Sequence, residues 1–260
     1  MPSPFAGVRA LLLDLEGTLY QAREPIAGAA KTLEAFVTRG IPHCFVTNTT
    51  SRPRSALVRE LSAMGFQVPP DRIFTAPRAA REYLLARGFD RCHLLVKPAV
   101  LEDFAGIRED DASPRAVVVG DLGEGFTYER LNRAFRLLLQ GAELVTLARN
   151  RYYRAAEGLV LDQGPFVAAL ENASGRQATL VGKPAIPFFQ SALRLLAVSP
   201  SQAAVVGDDL EADVGGGQAA GMRGVLVRTG KFREDDLSGS SIRPDAVLDS
   251  LADLPRLLSK

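Results

Sequence analysis

The sequence predicts an α/β fold built on a mainly parallel sheet, with a second α/β domain inserted into the first. Three observations predict it. Short β-like apolar runs alternate with helix-like stretches toward both ends of the 260-residue chain. The segment between them carries a strand and helix rhythm of its own. The length also exceeds the roughly 100–150 residues of a common domain, which favours two domains over one.

Residues 8–14 read as the first strand, and "PIAGAAKTLEAFVTRG" as a helix with Pro25 near its start and Gly40 past its end. "PHCFVT" at 42–47 is the next strand, "PRSALVRELSAMG" a helix after Ser51, and "RIFTA" closes the first block. Near the other end "ATLVG", "AAVVGDD", "GVLVRTG" and "DAVLDS" read as strands, with helices beginning at Pro184 and near Glu211 and a last helix over 251–260. The middle segment reads as helix 77–87, strands 92–96 and 115–119, helix 128–140, strand 143–148 and helix 165–173. In the helix from 128, Leu131, Ala134, Phe135 and Leu138 recur at the spacing of one buried face. The acidic stretch at 108–114 reads as a loop. These boundaries give a core domain of residues 1–76 and 179–260, and an inserted domain of 77–178.

Thirty-one basic and 30 acidic residues nearly cancel, so the chain carries no electrostatic footprint for nucleic acid or an anionic membrane surface. An anionic ligand must then be held by a local site. Cys44 and Cys92 both stand in apolar runs and read as buried thiols, which fits a reducing cytoplasm. No run of about 18 apolar residues occurs, so a soluble protein without a membrane partner is expected. Two histidines, His43 and His93, are too few for a His-rich zinc site, which leaves an oxygen-bound metal open.

The chemistry-bearing residues cluster where apolar strands end. "LLLDLEGTLY" drives an apolar run into Asp14 and Glu16, and residues two apart on a strand share a face. Two neighbouring carboxylates repel unless a cation or a proton sits between them, and open α/β sheets bind ligands at this end of the strands. "VVGDDLEAD" repeats the arrangement with Asp208, Asp209 and Asp213. Carboxylate oxygens suit Mg²⁺, although Asp209 and Glu211 also fit plain helix N-terminal acids. "HCFVT" leads into Thr47, Asn48, Thr49, Thr50 and Ser51, neutral donors able to hold a phosphate, with Thr50 or Ser51 expected to cap the next helix. "LVGKP" sets Lys183 at the end of another run, where a compact cation can neutralise a nucleophile and a transferring phosphoryl group. Lys97 also precedes proline, but it lies in the inserted segment with no acidic neighbour in sequence and reads as a surface lysine.

Two motifs are discounted. "GGGQAAG" at 215–221 falls past Asp213 and not in the first βα turn, so it is no dinucleotide loop. "GKP" and "GKF" lack the Ser or Thr and the preceding Gly of a P-loop.

Asp14-Leu-Glu-Gly-Thr, the strand ending Thr47-Asn48, Lys183, and Gly207-Asp208-Asp209 with Asp213, in this order, resemble the haloacid dehalogenase superfamily of phosphotransferases. The insertion is similar to the large α/β cap of its nucleotide phosphatase branch. "RYYRAAEGLVLDQGPFVAALENASG" and "VVGDDLEADVGGGQAAGM" resemble the subgroup containing phospholysine phosphohistidine inorganic pyrophosphate phosphatase. The resemblance implies a Rossmann-like core with a cap, and hydrolysis of a small phosphorylated substrate through an aspartyl-phosphate on Asp14. It implies Mg²⁺ held by Asp14, the main-chain carbonyl of Glu16 and Asp208, with Asp209 and Asp213 orienting metal-bound water. Thr47, Asn48 and Lys183 would hold the phosphoryl group, and the cap type is compatible with a homodimer formed through it.

Glu16 departs from the pattern, since the superfamily most often has Asp there as the general acid and base. The extra C–C bond adds about 1.5 Å. The alternative expectation is therefore a regulatory protein that keeps the fold, the Mg²⁺ site and phosphate binding but turns over little. In the cap, Asp121, Glu124, Asn150, Arg151, Tyr152 and Tyr153 are the specificity candidates, with Tyr152 and Tyr153 fitting cap core equally well.

Overall fold

The computed structural model describes residues 5–155 and 158–258. Residues 1–4, 156–157 and 259–260, which include the end of the expected last helix, lie outside the described residues. The chain opens with β1 (Ala10–Asp14), β2 (Tyr20–Gln21), β3 (Glu24–Pro25), β4 (His43–Thr47) and β5 (Ile73–Thr75). It continues through β6 (Arg91–Leu95), β7 (Arg108–Glu109), β8 (Ala116–Val119), β9 (Glu143–Thr146), β10 (Tyr152–Ala155), β11 (Gly158–Leu161) and β12 (Thr179–Leu180). The last strands are β13 (Ala203–Gly207), β14 (Arg223–Val227) and β15 (Ala246–Leu248). The helices used below are α1 (Ala29–Thr38), α2 (Arg54–Ala63), α3 (Ala76–Ala86), α4 (Tyr128–Leu139) and α5 (Gly164–Ser174).

Two units result. The first comprises the described residues of Met1–Thr47, Leu57–Phe74 and Lys183–Lys260, and the second Asn48–Ala56 and Thr75–Gly182. The first unit holds a six-stranded sheet in the order β15-β14-β13-β1-β4-β5. Its central pairings, β1 with β13 and with β4, β13 with β14 and β14 with β15, are all parallel. All five residues of β1 are buried, as the near-continuous apolar run of a central parallel strand requires. Leu11 and Leu13 share one core with Leu33 and Phe36 of α1, Val206 of the neighbouring β13 and Val225 of β14 beyond it. Each fully buried leucine contributes on the order of 2 kcal/mol, so the strand that delivers Asp14 is held firmly.

The inserted unit has its own parallel sheet, ordered β12-β9-β8-β6-β7. Alternate residues of β6 and β8 divide between two cores. Cys92, Leu94 and Val118 pack with Ala80 and Leu84 of α3, while Leu95, Val117 and Val119 pack with Ala134 and Leu138 of α4 and Leu170 of α5. Helices thus cover both faces, the usual condition for an all-parallel sheet. Both cysteines are buried and free, as expected, and burial pushes the Cys92 thiol up to about 11. Among the described residues no helix is long and apolar enough to cross a membrane.

The structure departs from the sequence reading in five places. The strand expected at "ATLVG" shrinks to β12 and pairs with β9, so it joins the inserted unit's sheet and the units divide between Gly182 and Lys183. Part of the expected acidic loop forms β7 beside β6. Residues 20–25 form the hairpin β2–β3, and β10 pairs antiparallel with β11, both pairs too short or too exposed to show as periodic strands. The helix expected near Glu211 begins as a π-helical stretch, Leu210–Gly215, before Gly216–Ala219 turns α-helical.

Candidate active site

β1 ends on Asp14, and its parallel neighbour β13 ends one residue before Asp208. Their register, Leu13 opposite Val206, brings both acids to the same end of the sheet. The turn after β13 returns Asp213 to that place, and Lys183 enters from the first residue of the returning chain. Lys183 Nζ donates to Asp14 Oδ1 at 2.6 Å and to Asp213 Oδ1 at 2.6 Å. Asp213 Oδ2 accepts from the Asp209 N–H at 3.3 Å. Carboxylate oxygens of Asp14, Asp208 and Asp213 lie within 4.8 Å of one another.

All four side chains are buried, so three acids face one lysine in a medium that screens them poorly. Burial, reinforced by Asp208, pushes the Asp14 carboxyl up to about 6 despite the Lys183 ammonium. Burial and the neighbouring Asp213 push Asp208 up to about 6, and burial with Asp14 and Asp209 pushes Asp213 up to about 7. Burial pulls Lys183 down, but Asp14 and Asp213 override it and raise the lysine above its ordinary value, so it stays protonated. Lys183 is the one ammonium bonded to these three carboxylates, and Lys231, which pairs with Asp209 and acts on Asp14 and Asp208 from there, does not make up the difference. The remaining negative charge calls for protons or a cation, and an all-oxygen donor set fits a hard divalent ion. Lys183 engages Oδ1 of both Asp14 and Asp213, and Asp213 Oδ2 also accepts from the Asp209 N–H, which leaves Asp14 Oδ2 and the Asp208 carboxylate as the oxygens best suited to hold one.

Two glycines shape the cradle. A Cβ on Gly17 (φ +90°) would lie 2.1 Å from Asp208 Oδ2, and one on Gly230 (φ +65°) 2.0 Å from the same oxygen. The Lys231 N–H donates to that oxygen at 2.7 Å. Sequence reasoning does not reach Thr229, Gly230 and Lys231, because "GKF" reads there only as an incomplete P-loop. The available signal was Lys231 itself, one of five lysines among 31 basic residues and placed just past an apolar strand.

The other candidates are distributed as follows. Glu16 does not share the buried face of Asp14, because β1 has already ended; it is exposed, and its Oε1 accepts from the Ala22 N–H at 3.0 Å. Asp209 caps the stretch after it, accepting from the Glu211 and Ala212 N–H groups at 3.1 and 2.9 Å, and its Oδ2 lies 3.5 Å from Lys231 Nζ. Thr47 is the buried last residue of β4, and Asn48 is the first residue of the inserted unit. Thr50 does not cap α2: its hydroxyl accepts from the Asp121 N–H and donates to Gln163 Oε1, both at 3.2 Å, and the Arg54 N–H is capped by Asp103 at 2.9 Å. A cavity of about 360 Å³ is lined by Asp208, Asp209, Glu211, Lys231, Asp235 and Asp236, among others.

In the inserted unit Lys97 is half-buried, and Asp121 does accompany it, at 2.7 Å. Asp121 is buried, whereas Glu124, Asn150 and Arg151 are exposed. Tyr152 and Tyr153 are also exposed, so they are not core residues, and the Arg151 guanidinium lies 5.9 Å from the Tyr152 ring.

Comparison with known proteins gives the family. Residues 11–107 match the family described as haloacid dehalogenase-like hydrolase, and residues 180–254 one described as HAD-hydrolase-like. The human haloacid dehalogenase-like hydrolase domain-containing protein 2 is 45% identical over 229 residues, covering 88% of this chain and 87% of the relative. The phospholysine phosphohistidine inorganic pyrophosphate phosphatase of Bos taurus is 40% identical over 259 residues, covering 97% and 95%. Among solved structures, the 4-nitrophenylphosphatase of Thermotoga maritima superposes with a TM-score of 0.92 at 31% identity, covering 98% of this chain and 99% of that one.

Proposed function

The chain belongs to the haloacid dehalogenase-like hydrolase family and is a phosphatase, and we propose that it hydrolyses a small phosphorylated substrate through an aspartyl-phosphate on Asp14, with Mg²⁺ as cofactor. The substrate class is a phosphate monoester, a phosphoamino acid or pyrophosphate. The observation that carries this reading is the charge imbalance of Asp14, Asp208 and Asp213 against Lys183.

Asp14 and Asp208, with the main-chain carbonyl of Glu16, would hold the metal. Bound there, it supplies charge neutralisation for an anionic phosphate approaching an anionic nucleophile. Asp14 attacks phosphorus through a carboxylate oxygen, and the substrate's bridging oxygen or nitrogen departs with the electron pair of the broken bond. Lys183, fixed by Asp213, offsets the charge on Asp14 and on the transferring phosphoryl group without needing to move. Thr47 and Asn48, consecutive where β4 ends, supply neutral donors to the phosphoryl oxygens. Glu16 gives the leaving atom a proton and then takes one from water, which attacks the aspartyl-phosphate and releases inorganic phosphate. With Oε1 on the Ala22 N–H, Oε2 is the oxygen that exchanges the proton.

Phosphate release across phosphoamino acids, sugar phosphates, nucleotides and pyrophosphate, with Mg²⁺ and with EDTA, tests the reading. Turnover is expected on part of the panel, lost in EDTA and lost in Asp14→Asn. Full activity in either condition sinks it.

A second reading is favoured by one observation: the Glu16 carboxylate is exposed and tied to the β2–β3 turn, outside the buried cluster. On that reading the protein binds Mg²⁺ and phosphate but turns over little, and Glu16→Asp gains activity over the wild type.

A further inference from the structure

We propose that the Thr229–Gly230–Lys231 turn after β14 is part of the metal-binding apparatus, positioning the Asp208 carboxylate and the Gly17 backbone and so setting the divalent-cation affinity of the site. The inference rests on Asp208 being a metal ligand, as proposed above, and it assigns work to three residues outside the strand-end motifs.

Three independent features meet at this turn. The Lys231 N–H donates to Asp208 Oδ2 at 2.7 Å, among the described residues the one hydrogen bond made to that side chain. The Thr229 hydroxyl donates to the Gly17 carbonyl, fastening the turn to the nucleophile loop one residue past Glu16. Gly230 and Gly17 close on the carboxylate from two loops: a Cβ on Gly230 would meet Gly17 Cα at 2.6 Å as well as the Asp208 oxygen at 2.0 Å. No side chain fits at either position, and both backbones adopt the left-handed conformation that glycine tolerates.

The chemistry of the hold suits a metal ligand. A backbone N–H orients a carboxylate and favours its anionic form while adding no full positive charge, so the attraction for a cation survives. The Lys231 ammonium is directed elsewhere, 3.5 Å from Asp209 Oδ2, on a side chain two-thirds exposed. Had the lysine reached Asp208 with its ammonium, it would compete with the ion. Asp213 illustrates the contrast: Lys183 places its ammonium on Oδ1 while Oδ2 accepts from the Asp209 N–H, so both of its oxygens are engaged.

The test is calorimetric titration of Mg²⁺ into the metal-free full-length protein, wild type against Gly230→Ala, Thr229→Val and Thr229→Ser, alongside the melting temperature of each metal-free form. Gly230→Ala and Thr229→Val are expected to weaken Mg²⁺ binding about ten- to a hundredfold, the usual effect of disturbing groups that orient metal ligands. Thr229→Ser keeps the hydroxyl and is expected to bind as the wild type does. Because Thr229→Val nearly preserves shape, its metal-free form is expected to melt with the wild type, which separates positioning from folding. If the wild type binds Mg²⁺ and both Gly230→Ala and Thr229→Val bind it equally tightly, the inference is overturned and the phosphatase reading stands. The inference also falls if Thr229→Ser fails as Thr229→Val does. If the wild type binds no Mg²⁺ and turns over in EDTA, the metal reading falls and takes this inference with it.

Discussion

Two lysines of this chain precede proline after an apolar run, Lys183 in "LVGKP" and Lys97 in "LLVKP", and the structure uses them in opposite ways. Lys183 is 4% exposed and sits between Asp14 and Asp213, with Asp208 alongside; Lys97 is 35% exposed and pairs with Asp121 alone. The inserted unit's pair is therefore balanced, one charge against one, at a partly wetted position. The core unit's cluster keeps an excess of negative charge, and two carboxylates whose oxygens lie within 4.8 Å of each other repel by roughly 3 kcal/mol or more at an effective dielectric of about 20. Local sequence places a lysine at a strand end; the number of acids arriving from other strands decides whether the place can do chemistry.

The strongest way to break this contrast is Lys183→Met. Removing the ammonium leaves Asp14 and Asp213 buried without their cation, and kcat/KM is expected to fall by about 10²–10³. Folding is expected to weaken by about 3–5 kcal/mol, the usual cost of removing one partner of a buried pair. Steady-state kinetics and urea unfolding read the two effects separately. A variant within a few-fold of wild-type activity would place Lys183 with Lys97 as a structural lysine.

The second prediction concerns Glu16. Glu16→Gln retains an oxygen for the Ala22 N–H but cannot transfer a proton, so kcat is expected to drop about a hundredfold with the hairpin intact. Equal activity in Glu16→Gln and the wild type would show that the side chain holds the β2–β3 turn and does no proton transfer. That turn carries Ala22 and Arg23 at φ +50° and +66°, a conformation that costs non-glycine residues on the order of 1 kcal/mol each, so a side chain bracing it has a physical purpose.

Much of the core unit was legible because each of its acids follows an apolar strand, and a parallel sheet brings such ends together. Asp14 and Asp208 were accessible by that logic, Asp213 by its place in the turn after β13, and Lys183 as a lysine following an apolar run, although that run joins the other sheet. Glu16 shows its limit: the period-two rule holds only inside a strand, and β1 stops at Asp14. β12 shows another, since a two-residue apolar strand fits either sheet and only pairing with β9 assigns it. The Thr229–Gly230–Lys231 turn was hidden because its contribution is made by a backbone N–H, a hydroxyl and the absence of a side chain, none of which leaves a pattern in residue type. Asp121 was out of view for Lys97 because they are 24 residues apart and meet through the pairing of β6 with β8.

The third prediction sharpens the excess of charge. Asp14, Asp208 and Asp213 carry folded values of about 6, 6 and 7 against an ordinary 3.8. Between pH 4 and 7 the folded, metal-free protein thus binds more protons than the unfolded chain, and its stability falls as the pH rises through that window. The melting temperature of the metal-free protein is expected to decline by several degrees between pH 5 and 7.5, and Mg²⁺ affinity to rise over the same interval as protons are displaced. Saturating Mg²⁺ should flatten the slope, and Asp208→Asn should reduce it. A metal-free melting temperature that climbs from pH 5 to 7.5 would refute the charge argument.

The smallest expected effect belongs to Lys97→Met. The methionine keeps the stem of the lysine and its backbone N–H, which donates to the Asp121 carbonyl at 3.2 Å. Asp121 loses the ammonium at 2.7 Å, yet its Oδ1 still accepts from the Gly123 N–H at 2.9 Å and its own N–H still donates to Thr50. A half-exposed ion pair with such support is worth about 1 kcal/mol, so urea unfolding should register a loss of that order. Phosphatase activity should stay within a few-fold of the wild type, because no uncompensated charge is created beside Asp14. A tenfold or larger fall in kcat/KM, with the fold intact, would mean that the balanced pair also serves the reaction, and that counting acids around a lysine does not separate the two roles.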